Sequence, residues 1–285
     1  MFILRADKKT SEESCMKTEK EEKASGKGRF PRSERLPVIM LIAAAGGLCG
    51  CYGTIAFGTF AFGETGNLLH LWNDLISGNW VNMLLRTLTV GLFMCGIALA
   101  VILPEKVGKK KWQTACLLIE VVLTSFTLLC PGQIHFLLQL APLFLAAAMQ
   151  YHSFNYCEGF AAATIFCSNN LRQTTLGLVG WLRTRDPESL RRFKTYGLVV
   201  AAYSCGAIVC CALYPHIGRA VLLPAIAFYA LLSPYIALER ETEADEEKSI
   251  EAAVEAAADE IAEELVPDPA LEAAALSETE SKNAG

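Results

Sequence analysis

Charged residues are missing from long stretches of this sequence of 285 residues. No Asp, Glu, Lys or Arg occurs in residues 36–63, a run long enough to cross a hydrocarbon core of about 30 Å. Further runs, interrupted only by Glu120, cover residues 87–103, 112–130, 134–157, 196–214 and 220–238. A soluble domain does not repeat such runs six times. The sequence therefore predicts an all-α integral membrane protein with six transmembrane helices.

Sequence motifs of enzymes and of metal sites are also missing. There is no HExxH, GxSxG or P-loop pattern, and no Gly-rich dinucleotide fingerprint. The eleven cysteines include no CxxC pair, and most lie in hydrophobic runs, where thiols pack as small, weakly polar groups. We therefore expect no metal, no cofactor and no enzyme activity, although helices can still assemble a site from separate parts of a chain.

The Lys and Arg residues indicate an orientation in the membrane. They precede the first run, are absent from residues 64–80, cluster at 106–111, are absent near 131–132 and cluster at 172–194. The last connection has only Arg219. Because cytoplasmic loops carry the excess of Lys and Arg, this alternation predicts that both termini are cytoplasmic.

Polar tails flank the predicted membrane domain of residues 36–238. Residues 1–35 form an N-terminal tail of mixed charge, and residues 239–285 form an acidic one, since residues 241–285 hold fifteen Asp or Glu and two Lys. Apolar positions at helical spacing predict a helix at 249–266. Two interpretations stay open: a helix that docks a partner or joins two copies of the chain, and a solvated, partly disordered tail.

The membrane domain contains an internal repeat. A shift of 103 residues places residues 41–45 (LIAAA) on 144–148 (FLAAA), and Asn67 on Asn170. With a slip of seven residues, Cys95-Gly96 matches Cys205-Gly206. We predict repeat one at 36–130 and repeat two at 134–238. Because each repeat holds three spans, the second must be inverted in the membrane, an arrangement typical of secondary transporters.

These landmarks resemble the YoaK-like family, bacterial six-span membrane proteins built around a domain of unknown function. Gly46-Gly47 followed by Thr65-Gly66-Asn67-Leu68 is similar to its GG…TGN signature, and Ala148-Met149 with residues 168–171 is similar to its second half. The resemblance covers roughly residues 36–238 and implies placement in a bacterial inner membrane, with no established activity. The chain departs from the family pattern at Gly50, Gln150, His152, Ser153 and Asn169, which puts in doubt any ligand site built on those positions.

Two polar clusters are candidate substrate-binding groups, because polar groups in spans face the bundle interior or a wet cavity. The first follows span one and consists of Glu64, Thr65, Gly66 and Asn67; the second lies on span four and consists of Gln150, His152, Asn155 and Glu158. Ser168 and Asn170, the repeat counterparts of Thr65 and Asn67, are further candidates. For the first cluster, the alternatives are a glycine-weakened, discontinuous helix that binds a ligand, and close helix packing followed by a capping turn. For the second, they are solute binding and structural hydrogen bonding. Arg86 is expected to snorkel to the interface.

Glu120 is the remaining candidate, a carboxyl group near the middle of span three. An ionised side chain there costs about 2.5–3.5 kcal/mol on insertion scales. Five polar residues follow helical spacing and predict one buried face: Gln113, Cys116, Glu120, Thr124 and Thr127. Glu120 is then either a neutral carboxyl hydrogen-bonded to another helix or a group that carries a proton.

The sequence favours a transporter or permease for an unidentified small solute, with alternating access between the inverted repeats. The alternative is a non-transporting scaffold or sensor that recruits a partner through its acidic tail. The expected partners are the lipid bilayer, a small solute and, in a homodimer, a second copy of the chain. Nucleic acid is not expected.

Overall fold

The computed structural model describes residues 30–239. Most of the predicted N-terminal and acidic tails, including the predicted helix at 249–266, therefore lies outside the described residues. Helices dominate the described range, with two short strands and 3-10 turns at Arg32–Glu34 and Gly218–Leu222. In chain order the elements are α1 (Leu36–Phe57), α2 (Glu64–Ile76), α3 (Trp80–Val107), α4 (Lys109–Leu129), α5 (Phe136–Ser153), β1 (Tyr156–Cys157), β2 (Phe160–Ala161), α6 (Cys167–Thr184), α7 (Pro187–Ile217) and α8 (Leu223–Ala237).

Four helical segments are long and apolar enough to cross a membrane: Leu36–Phe57, Trp80–Val107, Lys109–Leu129 and Pro187–Ala237. The last of these joins α7 and α8 across the 3-10 turn. α5 occupies the predicted fourth span but is shorter than predicted, since its 18 residues end in a polar turn. The described chain is thus a mostly helical protein of membrane type.

The connections contain more structure than the sequence predicted. α2 lies in the connection after span one, and α6 lies in the one after span four. The all-α prediction is wrong at one place, where β1 pairs with β2 in an antiparallel hairpin. The reason is local: Glu158 and Gly159 have positive φ angles of 50° and 86°, the backbone that tight hairpin turns favour.

The glycines of α1 do not break the helix. α1 runs without interruption through Gly46, Gly47, Gly50 and Gly53, and it ends at Gly58, whose φ of 64° is left-handed. A Cβ on Gly47 would overlap the backbone carbonyl of Tyr203 on α7. Close helix packing followed by a capping turn, rather than a helix broken at these glycines, is therefore the arrangement found.

The helices pack in a reciprocal pattern between the two predicted repeats. α1 packs against α7, so the first span of repeat one meets the second span of repeat two. α5 packs against α3, which is the converse pairing. α4 packs against α8, so the third spans of the two predicted repeats also meet. A common apolar core joins the helices.

Polar contacts tie the helix ends together at the two ends of the bundle. At one end, here called the Lys109 end, Lys109 Nζ donates to Glu34 Oε1 at 2.8 Å, and Arg191 Nη1 donates to the carbonyl oxygen of Glu158 at 3.0 Å. At the other, the Arg219 end, the Arg219 guanidinium donates to the carbonyl oxygen of Cys130. Successive long helices therefore begin at opposite ends.

Candidate functional site

The most deeply buried polar face belongs to α4. Gln113, Cys116, Glu120, Thr124 and Thr127 are all buried, which confirms the helical face that their spacing predicted. Hydrophobic residues of α4 such as Leu118 and Val122 are instead exposed on the outside of the bundle. The face forms a polar stripe, and Glu120, at 0% exposure, lies near its middle.

Glu120 has an incomplete set of hydrogen bonds. Its Oε1 lies 3.4 Å from the Cys116 sulfur, one turn earlier on the same helix. Its Oε2 is buried and has no hydrogen-bond partner, and the same holds for Thr124 Oγ1. The polar neighbours that reach Glu120 from other helices are the Cys49 thiol of α1 and the Tyr229 hydroxyl of α8. An ionised carboxylate in this position would be costly, because one of its buried oxygens receives no hydrogen bond.

Gln150 lies at the same level, on α5. Its Oε1 accepts a hydrogen bond from the Tyr229 hydroxyl at 2.8 Å, while its Nε2 donates to Thr164 Oγ1 at 3.1 Å. Tyr229 therefore lies between Gln150 and Glu120. We call Glu120, Tyr229 and Gln150 the central triad; it is fully buried and draws residues from both predicted repeats.

Two asparagines make the same contact, one in each predicted repeat. Asn67 Nδ2 donates to the carbonyl oxygen of Phe60 at 2.7 Å, seven residues upstream. Asn170 Nδ2 donates to the carbonyl oxygen of Ala163 at 2.6 Å, also seven residues upstream. Each side chain thus satisfies a carbonyl in the loop that precedes α2 or α6. Both amides are buried and structurally engaged, as hydrogen-bond partners of their own loops.

Arg86 is buried, so the prediction that it snorkels to the interface is wrong. Its Nε donates to Asp74 Oδ2 at 2.8 Å, and its Nη1 donates to Thr59 Oγ1 at 2.8 Å. Thr59 in turn lies 3.4 Å from Asn67 Oδ1. An ion pair explains the burial, because α2 folds back along α3 and brings a carboxylate to the guanidinium.

This ion pair gives a first prediction. Asp74→Asn should destabilise the protein by about 3 kcal/mol or more, because the variant leaves the Arg86 charge buried without a counter-charge. Glu188→Gln is the matched control, since the Glu188–Arg191 pair is exposed and worth about 0–1 kcal/mol. Thermal unfolding in detergent measures both, and equal shifts in the two variants would contradict the assignment.

The remaining candidates lie apart from the central triad. Glu64 begins α2, and both of its carboxyl oxygens are buried without a hydrogen-bond partner; burial raises its pKa to about 7. Thr65 is exposed, and Gly66 packs on the ring of Phe60. The first cluster is therefore a helix start beside the Arg86 ion pair, and of its four residues only Glu64 has unpaired buried atoms.

The second cluster is split between two places. Gln150 belongs to the central triad, whereas Asn155 and Glu158 lie in the hairpin region at the Lys109 end. There Glu158 Oε1 accepts from the backbone N–H of Leu36 at 3.3 Å. Ser168 is exposed in the first turn of α6. The structure thus brings Glu120 and Gln150 together and places the other candidates elsewhere.

Sequence reasoning missed two residues that complete these groups. Tyr229 lies in an apolar run with no polar pattern, and no sequence signal points to it. Asp74 lies in a connection, where a carboxylate is unremarkable, although its nearness in sequence to an intramembrane Arg was an available signal. Within residues 30–239, no group of three or more His, Cys, Asp or Glu is arranged to hold a metal ion.

Comparison with known proteins gives one match. The profile of a family described as "Protein of unknown function (DUF1275)" matches residues 38–234. No curated protein and no solved structure matches the chain. The matched range covers the helices from α1 into α8, and with them the central triad and both asparagines. The chain therefore belongs to the DUF1275 family, in agreement with the YoaK-like resemblance of its sequence.

Proposed function

We propose that the protein is a carrier for a small solute in the bacterial inner membrane. Two three-span halves, residues 36–130 and 134–238, would lie inverted relative to each other and rock about the central triad. Both termini would be cytoplasmic, which puts the Lys109 end inside and the Arg219 end outside. The lipid bilayer and the solute are the partners of this proposal, which includes no enzyme activity and no nucleic acid.

Six crossings are consistent with the helix ends. α5 starts near the Arg219 end and finishes at the Lys109 end, so it runs the length of the bundle although it is short. The 3-10 turn between α7 and α8 carries Arg219, which contacts the end of α4. α7 and α8 are thus two crossings joined by a tight turn at the outer end.

The observation that carries the proposal is the paired asparagine contact. Asn67 and Asn170 bind carbonyl groups at the same sequence spacing and at the same point of each half, between its first long helix and its amphipathic helix. Reciprocal packing of α1 on α7 and of α5 on α3 supports the same relation. Two halves of this kind, with a polar centre between them, are the device that alternating-access carriers use.

The polar centre favours a carrier over a scaffold. A protein that only recruits a partner has no need of an unpaired carboxyl oxygen inside its bundle, and such groups are costly in a membrane. The scaffold alternative depends on the acidic tail, which lies outside the described residues.

A second prediction tests alternating access without knowledge of the solute. In a cysteine-free background, Gln113→Cys and Thr127→Cys mark the inner and outer ends of the polar stripe. We expect an impermeant maleimide to reach position 113 from the inside and position 127 from the outside. Each site should be open for only part of the time, because the halves rock.

For the locked form of this experiment, Cys51 and Cys211 are kept in the otherwise cysteine-free background. Cys51 on α1 and Cys211 on α7 have their sulfur atoms 3.4 Å apart, in the outer half of the bundle. Oxidising this pair with copper phenanthroline should hold the outer side closed. Labelling at 127 should then be lost and labelling at 113 should persist, and a reductant should restore labelling at 127. The control is a chain that retains the exposed Cys95 and Cys205 in place of Cys51 and Cys211. If oxidation changed the labelling of both positions in the same direction, rocking of the halves would be contradicted.

A further inference from the structure

The central triad has a single hydroxyl proton, that of Tyr229, and two groups that can accept it, Gln150 and Glu120. Tyr229 donates its proton to Gln150 Oε1 at 2.8 Å, so it has none to give to Glu120 beside it. A phenol oxygen can, however, still accept a hydrogen bond. A protonated Glu120 fits this state, because its O–H can point to the Tyr229 oxygen and needs no other partner.

No opposite charge faces Glu120. The titratable groups directed at it are Cys49 from α1, Cys116 from α4 and Tyr229 from α8, and α5 contributes the neutral Gln150. Thiols and phenols are ordinarily neutral at pH 7. Among residues 30–239, no Lys, Arg or His side chain forms an ion pair with Glu120. An ionised carboxylate would therefore depend on hydrogen bonds alone for its stabilisation.

We propose that Glu120 is a proton-binding site and that its protonation selects the hydrogen-bond partner of Tyr229. When Glu120 is protonated, Tyr229 donates to Gln150, as found. When Glu120 releases its proton to solution, the Tyr229 hydroxyl keeps its own proton and turns it toward the carboxylate. Gln150 then loses its bond within repeat two, while the Glu120–Tyr229 bond between the two predicted repeats is kept with donor and acceptor exchanged. This inference rests on the proposed carrier function, because it makes proton release the event that frees Gln150 and reverses the hydrogen bond between the halves.

The stripe on α4 gives the proton a route to the Lys109 end. Gln113 lies two turns before Glu120, about 10 Å along the helix, with Cys116 between them. Gln113 also lines a shallow cleft together with Glu34 and Lys109. The route is closed here, since Gln113 Nε2 donates to the carbonyl oxygen of Ser153 at 2.8 Å. Opening this contact would connect Glu120 to one side of the membrane only.

Infrared difference spectroscopy of the full chain in lipid nanodiscs tests the site without any solute. As the pH is raised from about 5 to about 10, the range in which buried carboxyls titrate, the C=O band of a protonated carboxyl should disappear. Burial also raises the pKa of Glu64, to about 7, so the comparison is made in a Glu64→Gln background, where the band should remain and where adding Glu120→Gln should remove it. In the same background, Tyr229→Phe should shift the pH at which the band is lost, because the carboxylate has lost its donor. A band in the Glu64→Gln background that is unaffected by pH, or one that persists after Glu120→Gln is added, would overturn the proposal.

Proton flux separates this inference from the carrier function. Liposomes that contain the protein and a pH-sensitive dye, with an imposed proton gradient, should acidify with wild type and not with Glu120→Gln. A pH-sensitive Glu120 band without flux would leave the proton site standing and contradict coupling to transport. Proton flux that persists in Glu120→Gln would be compatible with a carrier but would contradict a role for Glu120 in it. Glutamine matches glutamate in shape, so Glu120→Gln should fold normally. An unchanged size-exclusion profile of this variant shows that it does.

Discussion

Gly206→Ala and Gly47→Ala are expected to destabilise the protein severely. A Cβ at Gly206 would overlap the backbone carbonyl of Ala44, and a Cβ at Gly47 would overlap that of Tyr203. Backbone atoms in the middle of two helices cannot move aside as a flexible side chain can, so α1 and α7 must separate. Overpacking of a core costs about 1–3 kcal/mol and occasionally more, and we expect about 3 kcal/mol or more here.

A third helical glycine provides the control. Gly91 on α3 has open space where a Cβ would be added and does not have a positive φ. Gly91→Ala should therefore be neutral or stabilise by about 0.5–1 kcal/mol through helix propensity. Thermal unfolding in detergent, followed by fluorescence-detected size exclusion, ranks the variants. If Gly206→Ala proved as stable as Gly91→Ala, the close crossing of α1 and α7 would be wrong.

Local pattern was enough to predict the long apolar helices and the buried face of α4. Hydrophobic runs depend on burial in lipid, and the side-chain period of a helix fixes which residues share a face, so Gln113 and Thr127 could be placed together with Glu120. The internal repeat predicted that Asn67 and Asn170 are equivalent, and their matching hydrogen bonds agree with that prediction. These are properties of short segments or of self-similarity.

Contacts between segments far apart in sequence could not be predicted in this way. Arg86 was assigned to the interface because its partner, Asp74, lies on a helix that was not foreseen. Tyr229 was missed because its role comes from Gln150 and Glu120, which reach it from other helices. The hairpin after α5 was missed because it depends on a positive φ at Glu158, a non-glycine residue. For Arg86 and Tyr229 packing between helices decides, and packing leaves no periodic signal; the hairpin instead depends on local backbone geometry.

The prediction for the glycines of α1 was limited in a related way, because it also depends on packing. Its glycines allow either a broken helix or a close crossing, and composition alone does not distinguish the two. The structure has the crossing, because Tyr203 and Ala61 occupy the space beside Gly47 and Gly53. The candidate ligand-binding groups are therefore those of the central triad and not those at the end of α1.

The central claim is that the two halves are inverted in the membrane, and one labelling experiment tests it most directly. Asn73 on α2 and Thr184 on α6 are exposed and belong to the amphipathic helices of the two halves. Single cysteines at these positions, in a cysteine-free background, report the side on which each helix lies.

In intact cells an impermeant maleimide should label position 73 completely and position 184 not at all, and inside-out vesicles should show the reverse. Permeabilised cells, in which both positions label, are the control for reactivity. The expected difference is all-or-none, because the Lys and Arg bias predicts that α2 lies outside and α6 inside. Labelling of both positions from the same side would contradict the inverted halves and, with them, the carrier.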